Sequence, residues 1–294
     1  MTQNELNKII ENHQHYLNKD IDGWESMRAD LSDKNLSGLN LKNANLREAN
    51  FRNANLSNSN LGDANLNNAD LTYADLRKAD LSRADLRDAD LSEANLYRAF
   101  CLHTNLCRVD LSNAYLRDAD LYSAFCGNTN LYGVDLRGAD LRGADLREAN
   151  LFRADLRKAD LREANLRNAY LSGTDLSENA KIDYPITCPE TGSFIGYKKA
   201  CYEKIVKIQI CEDAKRSSAT TKKCRCSKAL VLAIENIDGS DSGLQEIESG
   251  FDHCFVYRVG EIAEVFDFDD NRWDECAPGI HFFMDRQDAV EYEF

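Results

Sequence analysis

From Leu31 to Leu176 an apolar residue returns at every fifth position, without insertion or deletion, and the residues between are mostly polar. The thirty positions hold Leu except for Phe51, Cys101 and Cys126, and the residue two before each is usually Ala, as at Ala44, Ala69 and Ala144. A period of five fits no simple element. Five helical steps of roughly 100° leave each Leu about 140° from the last, which smears the apolar face around the cylinder. An odd period also throws successive Leu side chains to opposite faces of a flat strand. The chain must therefore turn inside every repeat, and a solenoid of stacked coils buries every Leu and Ala in one lumen. Each buried Leu contributes roughly 1.5–3 kcal/mol, and each coil leans only on its neighbours. Asp or Asn before nearly every Leu suits the turns, because these short side chains accept hydrogen bonds from nearby N–H groups and tolerate unusual dihedrals.

The flanks read differently. Leu6, Ile9, Ile10, His13, Tyr16 and Leu17 fall on one side of a predicted helix that starts after an Asn4 N-cap, with Glu5, Lys8 and Glu11 toward solvent. Residues 1–28 are thus expected to cap the first coil, whose edge would otherwise expose unpaired backbone and bare Leu. After residue 180 the five-residue rhythm stops and aromatic and β-branched residues rise. Strands are expected at about 193–198, 204–211, 228–235, 253–259 and 279–283, with a helix near 285–292. The division is therefore 1–28 helical cap, 29–180 repeat solenoid and 181–294 small α+β domain.

Segments such as Ala-Asp-Leu-Arg-Lys at 74–78 and Ala-Asn-Leu-Arg-Glu at 44–48 resemble the pentapeptide-repeat family. The resemblance implies a β solenoid, a right-handed quadrilateral β-helix with four pentapeptides per coil, about 7.5 coils and roughly 36 Å at the sheet spacing. The C-terminal part resembles an uncharacterised domain that follows pentapeptide repeats in bacterial, phage and large-virus proteins. The matching stretches are 212–219, Lys223-Cys224-Arg225, Tyr257-Arg258-Val259-Gly260 and Cys276 to Phe283. That resemblance implies architecture and no chemistry.

The net charge of −14 raises the reading of a DNA mimic that inhibits a type II topoisomerase, as some members of the family are thought to be. The charge distribution weighs against it: residues 29–180 hold 23 acidic and 19 basic side chains, whereas 181–294 hold 22 and 14. Arg follows Leu at 77, 117, 137, 142, 147, 157, 162 and 167, so pairing with the Asp ladder is expected to neutralise the rod. No 18-residue apolar stretch and no signal peptide are visible, which gives an expected cytoplasmic location and no membrane partner. The ten cysteines then read as thiols, with Cys101 and Cys126 in the lumen. Cys224, Cys226, Cys254, Cys276, His253 and His281 are candidate metal ligands by type, but a single C-x-C lacks the doubled spacing of structural zinc, so no metal or cofactor is assigned.

Mid-rod, Tyr97 to Leu111 recurs twenty-five residues later as Tyr122 to Leu136. One coil plus one side separates the copies, so Phe100 and Phe125 should lie on adjacent faces, while Tyr132 and Phe152, one coil apart, should stack. Tyr97, Phe100, Tyr115, Tyr122, Phe125, Tyr132 and Phe152 are the expected contact residues for a protein partner. In the C-terminal domain, Lys215, Arg216, Lys222, Lys223 and Arg225 on a loop with Ser and Thr suit phosphate chemically, although no Gly-rich cradle accompanies them. Gly279-Ile280-His281-Phe282-Phe283 and Tyr257-Arg258 faintly resemble ADP-ribosyltransferase-like strands, which implies nucleotide chemistry at Arg258 and His281 as an alternative. The leading expectation is a non-enzymatic interaction scaffold that does not bind nucleic acid directly; a homodimer through the C-terminal domain stays open.

Overall fold

The computed structural model describes residues 1–177, 179–182, 187–272, 274 and 277–293, in two compact units, Met1–Tyr184 and Pro185–Phe294. Helix α1 spans Gln3–Asn18, and its N-cap is Thr2 in place of the expected Asn4. The reason is reciprocal bonding: Thr2 Oγ1 accepts from the Glu5 N–H at 3.3 Å, and Glu5 Oε2 accepts from the Thr2 N–H at 2.7 Å. Leu6 and His13 are fully buried. The helix also satisfies backbone groups that have no earlier coil to pair with. Gln3 donates to the Asn40 carbonyl and accepts from its N–H, at 2.8 and 2.9 Å. Buried His13 accepts the Ala29 N–H at Nδ1 and bonds the Arg47 carbonyl through Nε2, a neutral arrangement that burial favours by lowering its pKa.

Behind this cap the chain forms a β-helix solenoid. Parallel bridges join residues twenty apart, as in Asp30↔Asn50, Asn35↔Asn55, Asn40↔Asn60 and Asn45↔Asn65, so each coil takes four pentapeptides and carries four ladders. Within a pentapeptide the Ala N–H closes a turn onto the Leu carbonyl, at 3.0 Å for Ala74 and Leu71. Every row position from Leu31 to Leu171 is buried, together with most of the Ala row, whereas Leu176 is half-buried at the last coil. The Asp and Asn ladder behaves as its chemistry suggests: Asp75 Oδ1 accepts the Arg77 N–H at 3.2 Å and Asn95 Oδ1 the Tyr97 N–H at 3.1 Å. The unusual dihedrals, however, sit elsewhere. They fall on the second residue after each row position from 31 to 171, including Asp33, Tyr73 and Arg83 at φ of 58°, 61° and 59°. A turn of this kind places its third residue in the left-handed region.

The two lumen cysteines come with a local adjustment. Beside Cys101 and Cys126, Thr104 and Thr129 replace Ala, both fully buried, and their hydroxyls donate to the Leu81 and Leu106 carbonyls at 2.8 and 2.7 Å. A smaller Leu-row residue is thus offset by a larger Ala-row residue whose polar atom is satisfied.

The C-terminal unit is a seven-stranded sheet with order β3-β4-β9-β1-β2-β5-β8 and a two-stranded β6-β7 sheet. The strands are β1 Phe194–Ala200, β2 Lys204–Ile210, β3 Arg216–Ser218, β4 Lys223–Cys226, β5 Lys228–Glu235, β6 Glu246–Glu248, β7 Val256–Arg258, β8 Ile262–Glu264 and β9 Ile280–Phe283. Helix α2 follows at Arg286–Glu291, N-capped by Asp285. All pairings are antiparallel. One expectation changes. The basic segment 215–228 contains the β3–β4 hairpin, because backbone pairing Arg216↔Cys226 and Ser218↔Cys224 holds residues that read as a polar loop. Strand β2 buries both faces: Val206, Ile208 and Ile210 enter the main core, while Ile205 packs with Phe283 and Ala289, the latter from α2. β9 lies against β1 at Gly196, where a Cβ would meet Phe282 at 2.6 Å.

Candidate functional sites

On the solenoid Phe100, Tyr115, Phe125 and Tyr170 stand where Asp or Asn is usual, and the bridge register assigns each to a ladder. Phe100 bridges Asp80 and Asp120, Phe125 bridges Asn105 and Asp145, Tyr115 bridges Asn95 and Asp135, and Tyr170 bridges Asn150. These are four different ladders. The seven residues expected at a contact surface are therefore dealt around the rod. Tyr122, whose N–H bonds Asp120, shares the Phe100 side; its ring meets His103 edge-on at 6.0 Å and carries the Arg142 guanidinium at 5.6 Å. Tyr97, whose N–H bonds Asn95, shares the Tyr115 side. Tyr132 and Phe152 do pack, at 5.8 Å, and Tyr170 extends them at 5.5 Å into a three-ring row. Tyr170 was missed although it breaks the Asp/Asn position just as Phe100 does. Phe100, Tyr115, Phe125 and Tyr170 are 49%, 54%, 49% and 46% exposed.

Much of the charge on the rod is paired. Arg77, Arg137, Arg142, Arg147, Arg157 and Arg162 each hold the Asp two residues earlier at 2.6–2.7 Å. Arg137 and Arg157 also reach Asp155 and Asp175 one coil on, both at 3.5 Å. The guanidinium contact holds the Asp75, Asp135, Asp140, Asp145 and Asp155 carboxyls below their usual range and pulls Asp160 down to about 2.

In the C-terminal unit each cationic residue of the basic segment has a partner within the fold or at its surface. Arg225 is buried and donates to the Asp269, Asn271 and Pro278 carbonyls at 3.2, 2.7 and 3.0 Å. Arg216 donates to the Pro189, Gly192, Cys211 and Glu212 carbonyls, Lys215 pairs with Asp270 at 2.9 Å, and Lys222 pairs with Asp288 at 2.6 Å. Lys223 sits over the Tyr292 ring at 5.7 Å. Carbonyl bonding thus occupies Arg216 and Arg225, two of the donors a phosphate would need, whereas Lys215 and Lys222 keep exposed ammonium groups in ion pairs.

Arg258 and His281 do not converge either. Exposed Arg258 on β7 pairs with Glu246 at 2.9 Å, whereas His281 on β9 lines a cavity of about 510 Å³ in which Arg258 takes no part. Burial lowers the His281 pKa to about 4, and its ring bonds the Ala277 carbonyl at 3.0 Å through Nε2. The same cavity exposes Lys198, which the sequence did not single out. Its side chain is buried, its ammonium lies 5.9 Å from the Tyr257 ring, and burial with nearby Lys223 lowers its pKa to about 8. An amine that is partly neutral near pH 8, opening onto a wall of Phe251, Phe255, Val265 and Phe266, can act as a nucleophile or receive an anion.

Of the residues weighed as metal ligands, Cys224 and Cys226 are buried within β4, Cys254 is exposed, and Cys276 lies outside the described residues. His253 instead faces Cys201 and Glu248, with all three ligating atoms within 4.8 Å of one another. Neither partner, Cys201 after β1 or Glu248 at the end of β6, could be singled out from spacing, because Cys201 lies far from His253 in sequence.

Comparison with known proteins places these observations in a family. Overlapping segments from residue 27 to residue 178 match pentapeptide repeats (8 copies), and residues 184–289 match a family of unknown function, DUF5758. Among solved structures, HetL, a pentapeptide repeat protein involved in heterocyst differentiation regulation from the cyanobacterium Nostoc sp. strain PCC 7120, is 26% identical over 53% of this chain and 92% of its own, with a TM-score of 0.27. Full-length QnrB1, a plasmid-mediated fluoroquinolone resistance protein, is 16% identical over 50% and 93%, with a TM-score of 0.33. Rfr23 from the cyanobacterium Cyanothece 51142 is 27% identical over 52% and 88%, with a TM-score of 0.14. No curated protein matches the chain. With family matches over residues 27–178 and an unbroken five-residue register wound into four ladders, this chain belongs to the pentapeptide-repeat family, and it carries a DUF5758 domain at 184–289.

Proposed function

We propose that this protein is a non-enzymatic interaction scaffold: a right-handed quadrilateral coil of about 7.5 turns, covered at its N-terminal end by α1, that presents separate aromatic sides to protein partners. The observation that carries the reading is the exposure of Phe100, Tyr115, Phe125 and Tyr170 at backbone positions fixed by bridges on both or one neighbouring coil. Aromatic side chains on a pre-ordered surface lose little conformational entropy on binding, and they dominate interface energetics. The Tyr132, Phe152 and Tyr170 row offers the most continuous apolar strip, and the sides of Phe100 with Tyr122, of Tyr97 with Tyr115, and of Phe125 are smaller. The paired Asp and Arg rows weigh against a DNA-mimic role, which wants unneutralised carboxylates.

The test replaces one side at a time. Phe100→Asn, Tyr115→Asn, Phe125→Asn and Tyr170→Asn each restore the residue type usual at that position, so folding is retained. Full-length wild type and the four variants are used as baits, with recovered proteins quantified by mass spectrometry and binding then measured with the purified partner. A partner whose affinity falls at least tenfold in one variant and is unchanged in the others supports the reading. Identical recoveries across all five baits would remove it.

A further inference from the structure

The C-terminal unit brings a thiol, an imidazole and a carboxylate together from different segments. Cys201 follows β1, Glu248 ends β6, and His253 lies in the loop that joins β6 to β7. Cys201 Sγ is 3.5 Å from His253 Nδ1, and Glu248 Oε2 is 3.4 Å from the same nitrogen. A tetrahedral zinc ion with bonds of about 2.3 Å to sulfur and about 2.0–2.1 Å to nitrogen or oxygen sets its ligands about 3.5 Å apart for sulfur and nitrogen and about 3.4 Å apart for nitrogen and oxygen. The two observed separations coincide with those two values.

Hydrogen bonding alone accounts for the cluster less well. One Nδ1 carries at most one proton, so it can donate to the carboxylate or to the sulfur, and not to both. An ion pair between side chains 70% and 50% exposed contributes little. A cation at the centre satisfies all three atoms together. The loop is also built to hold them: the Ser249 N–H donates to the Phe255 carbonyl at 2.8 Å and the Phe255 N–H to the Asp252 carbonyl at 3.0 Å, while the metal-free Cys201 thiol donates to the Ser249 carbonyl at 3.5 Å, a bond it gives up on losing its proton.

We propose that Cys201, Glu248 and His253 bind one divalent metal ion of the zinc class, with water in the fourth position. Binding releases the thiol proton and leaves three protein ligands with one exchangeable site, the arrangement that distinguishes reactive from closed structural zinc. The ion would tie the end of β1 to the β6–β7 loop. That loop supplies Ser249, Phe251, Asp252 and Phe255 to the wall of the Lys198 cavity, so the metal would set the shape of that wall.

The test uses the full-length protein stripped with a chelator and titrated with Co²⁺, then Zn²⁺. The expected result is one equivalent of Co²⁺ per chain, a thiolate-to-cobalt charge-transfer band, and its displacement by Zn²⁺, which binds such donors more tightly. Cys201→Ser abolishes the band, and His253→Ala and Glu248→Gln each weaken Co²⁺ binding at least tenfold, whereas Cys254→Ser leaves both readouts intact. Glu248→Gln alters an exposed side chain, so it keeps the test informative if Cys201→Ser impairs folding. A protein that takes up no stoichiometric Co²⁺, or a band that survives Cys201→Ser, overturns the proposal.

Discussion

Replacing Leu116 by Ala tests the lumen most directly. Leu116 is fully buried and bonded into its coil, with its N–H on the Asp135 carbonyl at 2.8 Å, while the preceding coil's Leu96 N–H holds the Tyr115 carbonyl at 2.7 Å. Removing the side chain's outer carbons forfeits about 2 to 3 kcal/mol of transfer free energy, and the cavity left behind adds to that. These ladders fix the coil spacing, so the wall cannot close over the void, and the expected loss is about 3–5 kcal/mol, the range of well-packed Leu→Ala changes. Leu176 is half-buried at the last coil, and Leu176→Ala should cost about 1 kcal/mol. Native-state hydrogen exchange read by mass spectrometry separates the two, because a solenoid's stability is a sum over neighbouring coils. Around residues 96–136 the Leu116 variant should exchange on the order of a thousandfold faster, at about 1.4 kcal/mol per decade. Equal effects from both substitutions, or no acceleration at Leu116, would refute the idea of a closed hydrocarbon lumen.

Acid should loosen the rod. Asp75, Asp135, Asp140, Asp145, Asp155 and Asp160 have depressed pKa values, so their contribution is fully present above the ordinary carboxylate pKa near 4 and is lost as pH falls toward about 2, where Asp160 titrates. Thermal melts at stepped pH should drop through that window, and Arg162→Gln should return Asp160 toward its ordinary titration by NMR. In the C-terminal unit, Lys198 has a folded pKa of about 8 against an ordinary lysine value of 10.5, so the buried cation destabilises the unit below pH 8 and does so less as pH rises. Lys198→Met should raise its stability at pH 7 by about 3 kcal/mol and flatten the rise between pH 8 and 10, read by urea unfolding; a destabilised variant would contradict the assignment. Thiol labelling with peptide mapping should modify exposed Cys254 quickly and spare native Cys101, which burial raises to about 12, and Cys126, raised for the same reason. Rapid labelling of either lumen cysteine would place it outside the coil.

The sequence by itself determined the solenoid. A five-residue rhythm states which side chain is buried at each step, and no helix or flat strand can bury that set, so the lumen from Leu31 to Leu171 and the Asp/Asn turn bonding follow from local pattern. The α1 face was legible for the same reason, although its cap was Thr2 because two reciprocal bonds outweigh a single one. The same coil period separates Phe100 from Phe125 and stacks Tyr132 on Phe152, and the three-dimensional packing adds that Tyr170 extends that pair into a row. Only the tertiary structure decided that the basic stretch 215–228 pairs as strands around buried Arg225, and that Cys201, Glu248 and His253 meet. Periodicity records burial along one stretch of chain; convergence of segments far apart in sequence is set by sheet register and packing, which leave no local period to read.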